Sequence, residues 1–355
     1  MHLFLTIDWF LILEKAILIS FIIVISLVVA MYETWAERKV AAVIQDRRGP
    51  NRAGPIGILQ PLADGLKLFM KEEIIPNLSN KFLFILGPGI AMLTAMMTSA
   101  VVPWGGNVHL FGRDIPLQIA DVNIGILYIF GVVSMGVYGV MIGGWASNNK
   151  FSLLAAIRGA SQIISYELAM GLTLIALLML TGSLSLRTIL GQQLDNTYYV
   201  VYQPLGFLIF LICSFAECNR TPFDLSEAES ELNFGYHQEY SSMKLGFYLF
   251  AEYVNMFISS AVMATIFFGG YDIPFLNDVN FGLHHGQNWL AFFEVISLFF
   301  KISIFIFFFM WVRWTIPRFR YDQLMNLGWK TLIPLAILNM LVTGFVLLYH
   351  QHGGF

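Results

Sequence analysis

Long apolar runs alternate with shorter polar connections along this chain, and that alternation predicts its elements. Runs near 12–32, 82–103, 124–145, 161–182, 200–217, 247–269, 291–314 and 330–349 can each cross roughly 30 Å of hydrocarbon as a helix. A lipid-exposed segment must satisfy its backbone internally, which a helix does alone. The predicted fold class is all-α: a polytopic membrane protein with about eight transmembrane helices in one membrane domain over 1–355. The run at 161–182 is polar in its first half, and the run at 200–217 carries Pro204. Between the first two runs, Ile58, Leu62, Leu66 and Phe69 recur at helical spacing, opposite Gln60, Asp64, Lys67 and Lys71. That segment, 58–72, covers about 22 Å. It is too short to span and is expected at the interface or against other subunits.

Composition agrees. Charged residues are 12% of 355, against roughly 25% in soluble domains, and mean hydropathy is +0.69. A soluble domain with one anchor is excluded. The net charge of −3 gives no reason to expect nucleic acid. Cys213 and Cys218 form neither a disulfide framework nor a metal motif. With no Lys or Arg in the first ten residues, no cleaved signal peptide is expected.

Lys and Arg fall almost wholly in the connections after the first, third, fifth and seventh runs, from Arg38 to Arg320. The loops of the other side hold only Arg113 and Arg187. By the positive-inside bias, the basic connections face the cytoplasm and both termini face outward.

The candidate chemistry is carried by ionisable groups inside or beside the runs: Glu167, Glu217, Glu252, Glu294 and Lys301. A charge at a helix centre costs about 2.5–3.5 kcal/mol even on a gentle scale, so such residues face the protein interior and mark ion or proton pathways. The segment Ser161, Gln162, Ser165, Tyr166, Glu167 makes one half-helix polar where lipid would otherwise be. Glu294 and Lys301 are about 10 Å apart along one helix, so each needs a partner elsewhere.

The connection 217–244 packs in Asp224, Glu227, Glu229, Glu231 and Glu239, with only Arg220 and Lys244 of opposite sign. It also holds Phe223, Leu225, Leu232, Phe234, Tyr236 and Tyr240, too many apolar and aromatic residues for a free loop. A structured, cavity-lining connection is expected, with Ser226 and Glu229 spaced as a capping box. Gly87-Pro88-Gly89 predicts a kink, and Gly139 with Gly143 predicts close helix approach. His284 and His285 read as an exposed pair, not a metal site. No phosphate loop, CxxC pair or haem-type histidine pair is present, so no redox cofactor or nucleotide site is expected on this chain. An independent transporter would show an internal repeat, and none is visible. A passive scaffold remains a rival reading, under which neutralising Glu167 or Glu217 would alter assembly but not turnover.

Several stretches are more specific. ERK (37–39), RRGPNRAGPIGILQPLADGLKLFMKE (47–72), ASNNK (146–150), SQIISYE (161–167), AECNRTPFDLSEAESEL (216–232), EY (239–240), AEY (251–253) and PRFRYDQLM (317–325) stand in this order. They closely resemble the membrane-embedded H subunit of respiratory NADH:quinone oxidoreductase (complex I), the NADH dehydrogenase subunit 1 family. Cys218, where that family commonly has Thr, and Phe234 are mild departures. The resemblance implies quinone as substrate and a subunit at the junction of membrane and peripheral arms. It implies Arg38, Arg47, Asp64 and Phe223 as quinone-chamber residues, and Tyr166, Glu167, Glu217, Glu227, Glu229, Glu252 and Lys301 on a proton path. FMN and iron–sulfur clusters are then expected in partner subunits. Expected partners are peripheral-arm subunits at the cytoplasmic face, small membrane subunits and antiporter-like subunits, in a bacterial plasma membrane. A relative of the same subunit occurs in membrane-bound hydrogenases, which use no quinone; whether the complex consumes NADH and quinone or evolves hydrogen separates the two.

Overall fold

A computed structural model describes residues 9–110, 113–195, 197–273 and 287–351. His284 and His285 lie outside the described residues, and so does the side chain of Glu229. In chain order the helices begin with α1 (Trp9–Ile44), the short amphipathic α2 (Gln60–Met70) and α3 (Lys81–Thr98). A hairpin of β1 (Asn107–Leu110) and β2 (Arg113–Pro116) follows, paired antiparallel with Asn107 opposite Pro116. Next come α4 (Gly125–Ala146), α5 (Lys150–Thr181), α6 (Leu186–Asp195), α7 (Tyr199–Tyr202) and α8 (Pro204–Glu217). The chain continues through α9 (Glu229–Leu232), α10 (Ser242–Phe267) and α11 (Gln287–Thr315). It closes with α12 (Tyr321–Asn326), a π-helical turn at Leu327–Leu332, and α13 (Ile333–Gln351). Among the described residues, 7 helical stretches are long and apolar enough to cross a membrane, with Pro204–Glu217 a shorter apolar helix beside them. The protein is an all-α polytopic membrane protein.

Several boundaries differ from the apolar pattern, each for a physical reason. The first run is apolar only to about 32, but α1 continues for 36 residues, about 54 Å. Residues 33–44 contain Ala, Glu, Arg and Lys and neither Gly nor Pro, so nothing stops the helix. Glu33 and Glu37 thereby become helical residues one turn apart, both buried, rather than part of a loop. Gly87-Pro88-Gly89 does not break α3. A Cβ on Gly87 would stand 2.5 Å from the Tyr248 hydroxyl and 3.0 Å from the Gly143 Cα, so this glycine serves close packing. The fifth run is split at Gln203, whose φ of −131° and ψ of 62° are not helical. The residue before a proline is pushed out of the α region, and Pro204 follows. The connection at 146–159 shrinks to a turn, because α5 starts at Lys150 with the Asn149 side chain accepting from the Phe151 N–H at 3.0 Å.

The expected close approach at Gly139 and Gly143 is present and has a use. Tyr248 donates to the Gly139 carbonyl at 3.0 Å, and Tyr240 donates to the Gly143 carbonyl at 3.2 Å. A side chain at Gly143 would collide with the Tyr248 hydroxyl. The glycine stripe of α4 therefore docks α10 and the end of the acidic connection. At the centre of the bundle α10 buries Val254, Phe257, Ala261 and Ala264 completely.

The acidic connection is packed rather than free. Phe223, Leu225, Tyr236 and Tyr240 are buried. Gln162 on α5 donates to the Ala216 and Phe223 carbonyls at 2.9 and 2.6 Å, and the Phe319 N–H donates to the Pro222 carbonyl at 3.2 Å. The capping box is not formed. Ala228 is the N-cap of α9, and the Ser226 hydroxyl is buried without a hydrogen bond. Ser226 is held instead by its carbonyl, which accepts from the Tyr236 N–H at 3.3 Å.

Candidate functional site

The length of α1 carries Glu37 into the bundle, where it gathers three donors. Its carboxylate accepts from Arg220 at 3.2 Å, Arg313 at 2.6 Å and the Tyr253 hydroxyl at 2.8 Å. The Arg220 guanidinium lies 4.1 Å from the centre of the Tyr253 ring. Glu33, one turn earlier on the same face, is buried and its carboxyl oxygens make no hydrogen bond. One α1 face, the connection, α10 and α11 thus meet in a buried cluster of both signs.

Glu252, on the first half of α10, is buried beside this cluster. Its carboxyl oxygen comes within 4.8 Å of Glu227, and it accepts from the Tyr236 hydroxyl at 3.4 Å. Asp224 is bound by Arg318 at 2.8 Å. Burial, together with the nearby Glu227 carboxylate, still pushes Asp224 up to about 7 against the pull of Arg318 and Arg220.

Two small cavities lead from these carboxylates into the bundle. One, of about 50 Å³, is bordered by Glu252, Tyr236, Asn219 and Glu217. The other, of about 30 Å³, is bordered by Glu217 and Glu167. Thr98, Val133, Glu217 and Asn255 line both, so the cavities adjoin at these side chains. Glu167 accepts a hydrogen bond from the Ser134 hydroxyl of α4. Tyr166, next to it, is fully buried and donates to the Leu324 carbonyl at 2.9 Å, beside the π-helical turn. Its ring meets Phe223 edge-on at 5.2 Å.

Of the four residues expected in a quinone chamber, the structure joins two. Arg38 donates to Asp64 at 2.7 Å, tying the end of α1 to α2. Lys67 adds a contact to Asp64 at 3.7 Å. Arg47 bonds Gln45 at 2.6 Å instead. Phe223 packs between Tyr166 and Phe319, away from that pair. Lys301 stands apart, bound to the carbonyls of Phe268, Gly270 and Asp272 at 2.7–2.8 Å. It closes the far end of α10, about 24 Å along the axis from Glu252. Glu294 likewise has its own partner, accepting from the Gly106 N–H at 2.8 Å.

A family model described as NADH dehydrogenase matches residues 16–344. The chain is 66% identical over 339 residues to the H subunit of NADH-quinone oxidoreductase from Flavobacterium psychrophilum, covering 95% of this chain and 98% of that one. To the H 1 subunit of the same enzyme from Cytophaga hutchinsonii it is 65% identical over 336 residues, covering 95% and 97%. The H 1 subunit from Geobacter metallireducens is 49% identical over 336 residues, covering 95% and 96%. The chain belongs to the family of H subunits of NADH:quinone oxidoreductase. It is therefore one membrane component of a multi-subunit electron-transport enzyme.

Sequence reasoning missed how much of the site is supplied from outside the acidic connection. Arg220 and Lys244 are the only local counter-charges, yet Arg220 turns to Glu37 and Lys244 to Glu73. The carboxylates of the connection are answered by Arg318 at Asp224, Arg158 at Glu231 and Asn149 at Glu239. Glu33, Glu37, Arg313 and Tyr253 are not among the site residues that the sequence singles out. The available signal is the i, i+4 spacing of Glu33 and Glu37 on a segment without helix breakers.

Proposed function

We propose that this subunit couples quinone reduction to proton movement, with Glu227 and Glu252, Glu217 and Glu167 as the first segment of a proton path. The observation that carries the reading is the pair of adjoining voids, which puts Glu252, Glu217 and Glu167 in file with Glu217 on both walls. Ionisable side chains that face a cavity inside a membrane are what proton relays are built from. Glu229 extends the file by the family resemblance alone.

Arg38 and Asp64 with α2 form one wall of the quinone chamber in this reading, and partner subunits supply the rest. Reduction of a quinone to a quinol takes two electrons and two protons. The electrons come from FMN and iron–sulfur centres carried by peripheral subunits, and this chain holds no redox centre of its own. Phe223 links the two functions, because its backbone is held by Gln162 and its ring leans on Tyr166. A change of charge near the chamber would be felt at Glu37 and Arg220, which adjoin Glu252 and Glu227 through the Arg220 guanidinium. Arg47 would lie at the outer rim of the chamber. Lys301 positions the far end of α10, since three carbonyls occupy its ammonium. The basic connections face the cytoplasm, where the peripheral arm docks, and the termini face outward in a bacterial plasma membrane.

The test is Glu217→Gln in the assembled complex, with quinone reduction and proton pumping measured together. Gln keeps the volume and removes the proton site. Pumping should fall further than quinone reduction does, or both should fall if the coupling is tight. Undiminished pumping would sink the proton-path assignment.

A further inference from the structure

His237 sits in the 3-10 turn Gly235–His237 with no exposed surface, and neither ring nitrogen makes a hydrogen bond to the protein. Buried imidazoles ordinarily have such a partner. Its ring is fixed between Tyr236, at 3.7 Å between centres, and Tyr248 at 5.3 Å. Its Nδ1 lies 3.4 Å from Glu227 Oε1. The ligand atoms of Glu227, His237 and Glu252 all fall within 4.8 Å of one another.

We propose that Glu227, His237 and Glu252 form a binding site for a divalent transition-metal ion, with zinc the best-fitting class. An imidazole and two carboxylates suit zinc in a four-coordinate site completed by water, whereas calcium takes six to eight oxygens. Bonds of roughly 2.0–2.1 Å in a tetrahedron place neighbouring ligand atoms about 3.3 Å apart, which the His237–Glu227 separation already matches. Glu252 closes the remaining gap by a small side-chain shift. The neutral imidazole is the form that ligates, and the ring is wholly buried. The two carboxylates offset the charge of the ion, against the nearby Arg220. Glu227 keeps 18% of its side chain exposed, which gives the ion a way in. That an ion here would stop proton movement rests on the proton-path reading; that it binds does not.

The experiment uses the purified complex with zinc chloride as the probe. Cryo-electron microscopy of the unmodified complex frozen with zinc should show the ion between the three side chains. In His237→Gln that density should vanish, and the zinc concentration giving half-inhibition should rise at least about tenfold, each variant being compared with its own zinc-free rate. Glu227→Gln provides the second variant should His237→Gln not assemble. No ion at these residues in the unmodified complex overturns the site, and so does undiminished zinc binding in the assembled variants. Zinc bound there with full turnover and pumping supports the site and overturns the proton-path reading instead.

Discussion

The two ends of α10 each bury charge, and they do it in opposite ways. At the far end the Lys301 ammonium is saturated by three backbone carbonyls. Those acceptors are fixed by the chain's own path and cannot change charge. At the other end Glu252 meets Glu227, Arg220 and Tyr236, with Glu37, Asp224 and their arginines next to them. There every partner is a side chain, several are ionisable, and Glu33 is left with no hydrogen bond to its carboxyl oxygens. Backbone ligation makes a rigid clamp. A side-chain network of mixed sign has several protonation states close in energy, which is what a coupling element needs.

The contrast breaks most severely if Glu37 is removed. Glu37→Leu leaves Arg220 and Arg313 facing each other without their shared carboxylate. Breaking a buried pair this way costs about 3–5 kcal/mol, so the assembled complex should be lost or strongly depleted on native gels. Normal assembly would mean that the network is not what holds α1, α10 and α11 together.

The next effect is on pH dependence. Asp224 is held up to about 7 by burial and Glu227, while an unfolded carboxyl titrates near about 3.9. Between these values the folded chain holds a proton that the unfolded chain has lost. Stability from this group therefore falls as pH rises from about 4 to about 7 and is flat above, with an upper bound of about 4 kcal/mol. Asp224→Asn should flatten that part of the pH profile of the thermal midpoint. An unchanged profile would show that Asp224 stays ionised beside Arg318.

At the far end, Lys301→Met orphans carbonyls at roughly 1–3 kcal/mol for a buried acceptor. Hydrogen exchange across 268–273 should quicken while proton pumping per electron is kept. Lost pumping with unchanged exchange would move Lys301 out of the clamp and into the path. The smallest effect belongs to Arg38→Gln. Its pair with Asp64 is half-exposed, worth about 0–1 kcal/mol to stability, so the thermal midpoint should not move. The KM for quinone should rise, and an unaltered KM would remove Arg38 from the chamber wall.

Much of the fold is legible in the sequence, because a bilayer enforces a simple rule. Apolar runs of sufficient length become helices, and the polar half-helix at Gln162, Ser165 and Tyr166 has to face inward, as it does. The glycine spacing on α4 announces close packing for the same local reason. Continuity is less legible. The split at Gln203 and the unbroken α3 through Pro88 depend on neighbours and not on propensity alone.

What the sequence determined by itself was the order of the apolar spans, the family and the set of ionisable residues available for chemistry. Pairing among them was decided only by the tertiary structure. Arg220 lies a few residues from Asp224 and Glu227, yet it bonds Glu37, 183 positions away. Lys244 goes to Glu73, and Asp224 finds Arg318. Spacing along a chain controls contact only within one helix, about three or four residues apart. Between helices, the choice of partner follows from which faces the packing brings together, and there a buried charge takes whichever counter-charge its site can reach.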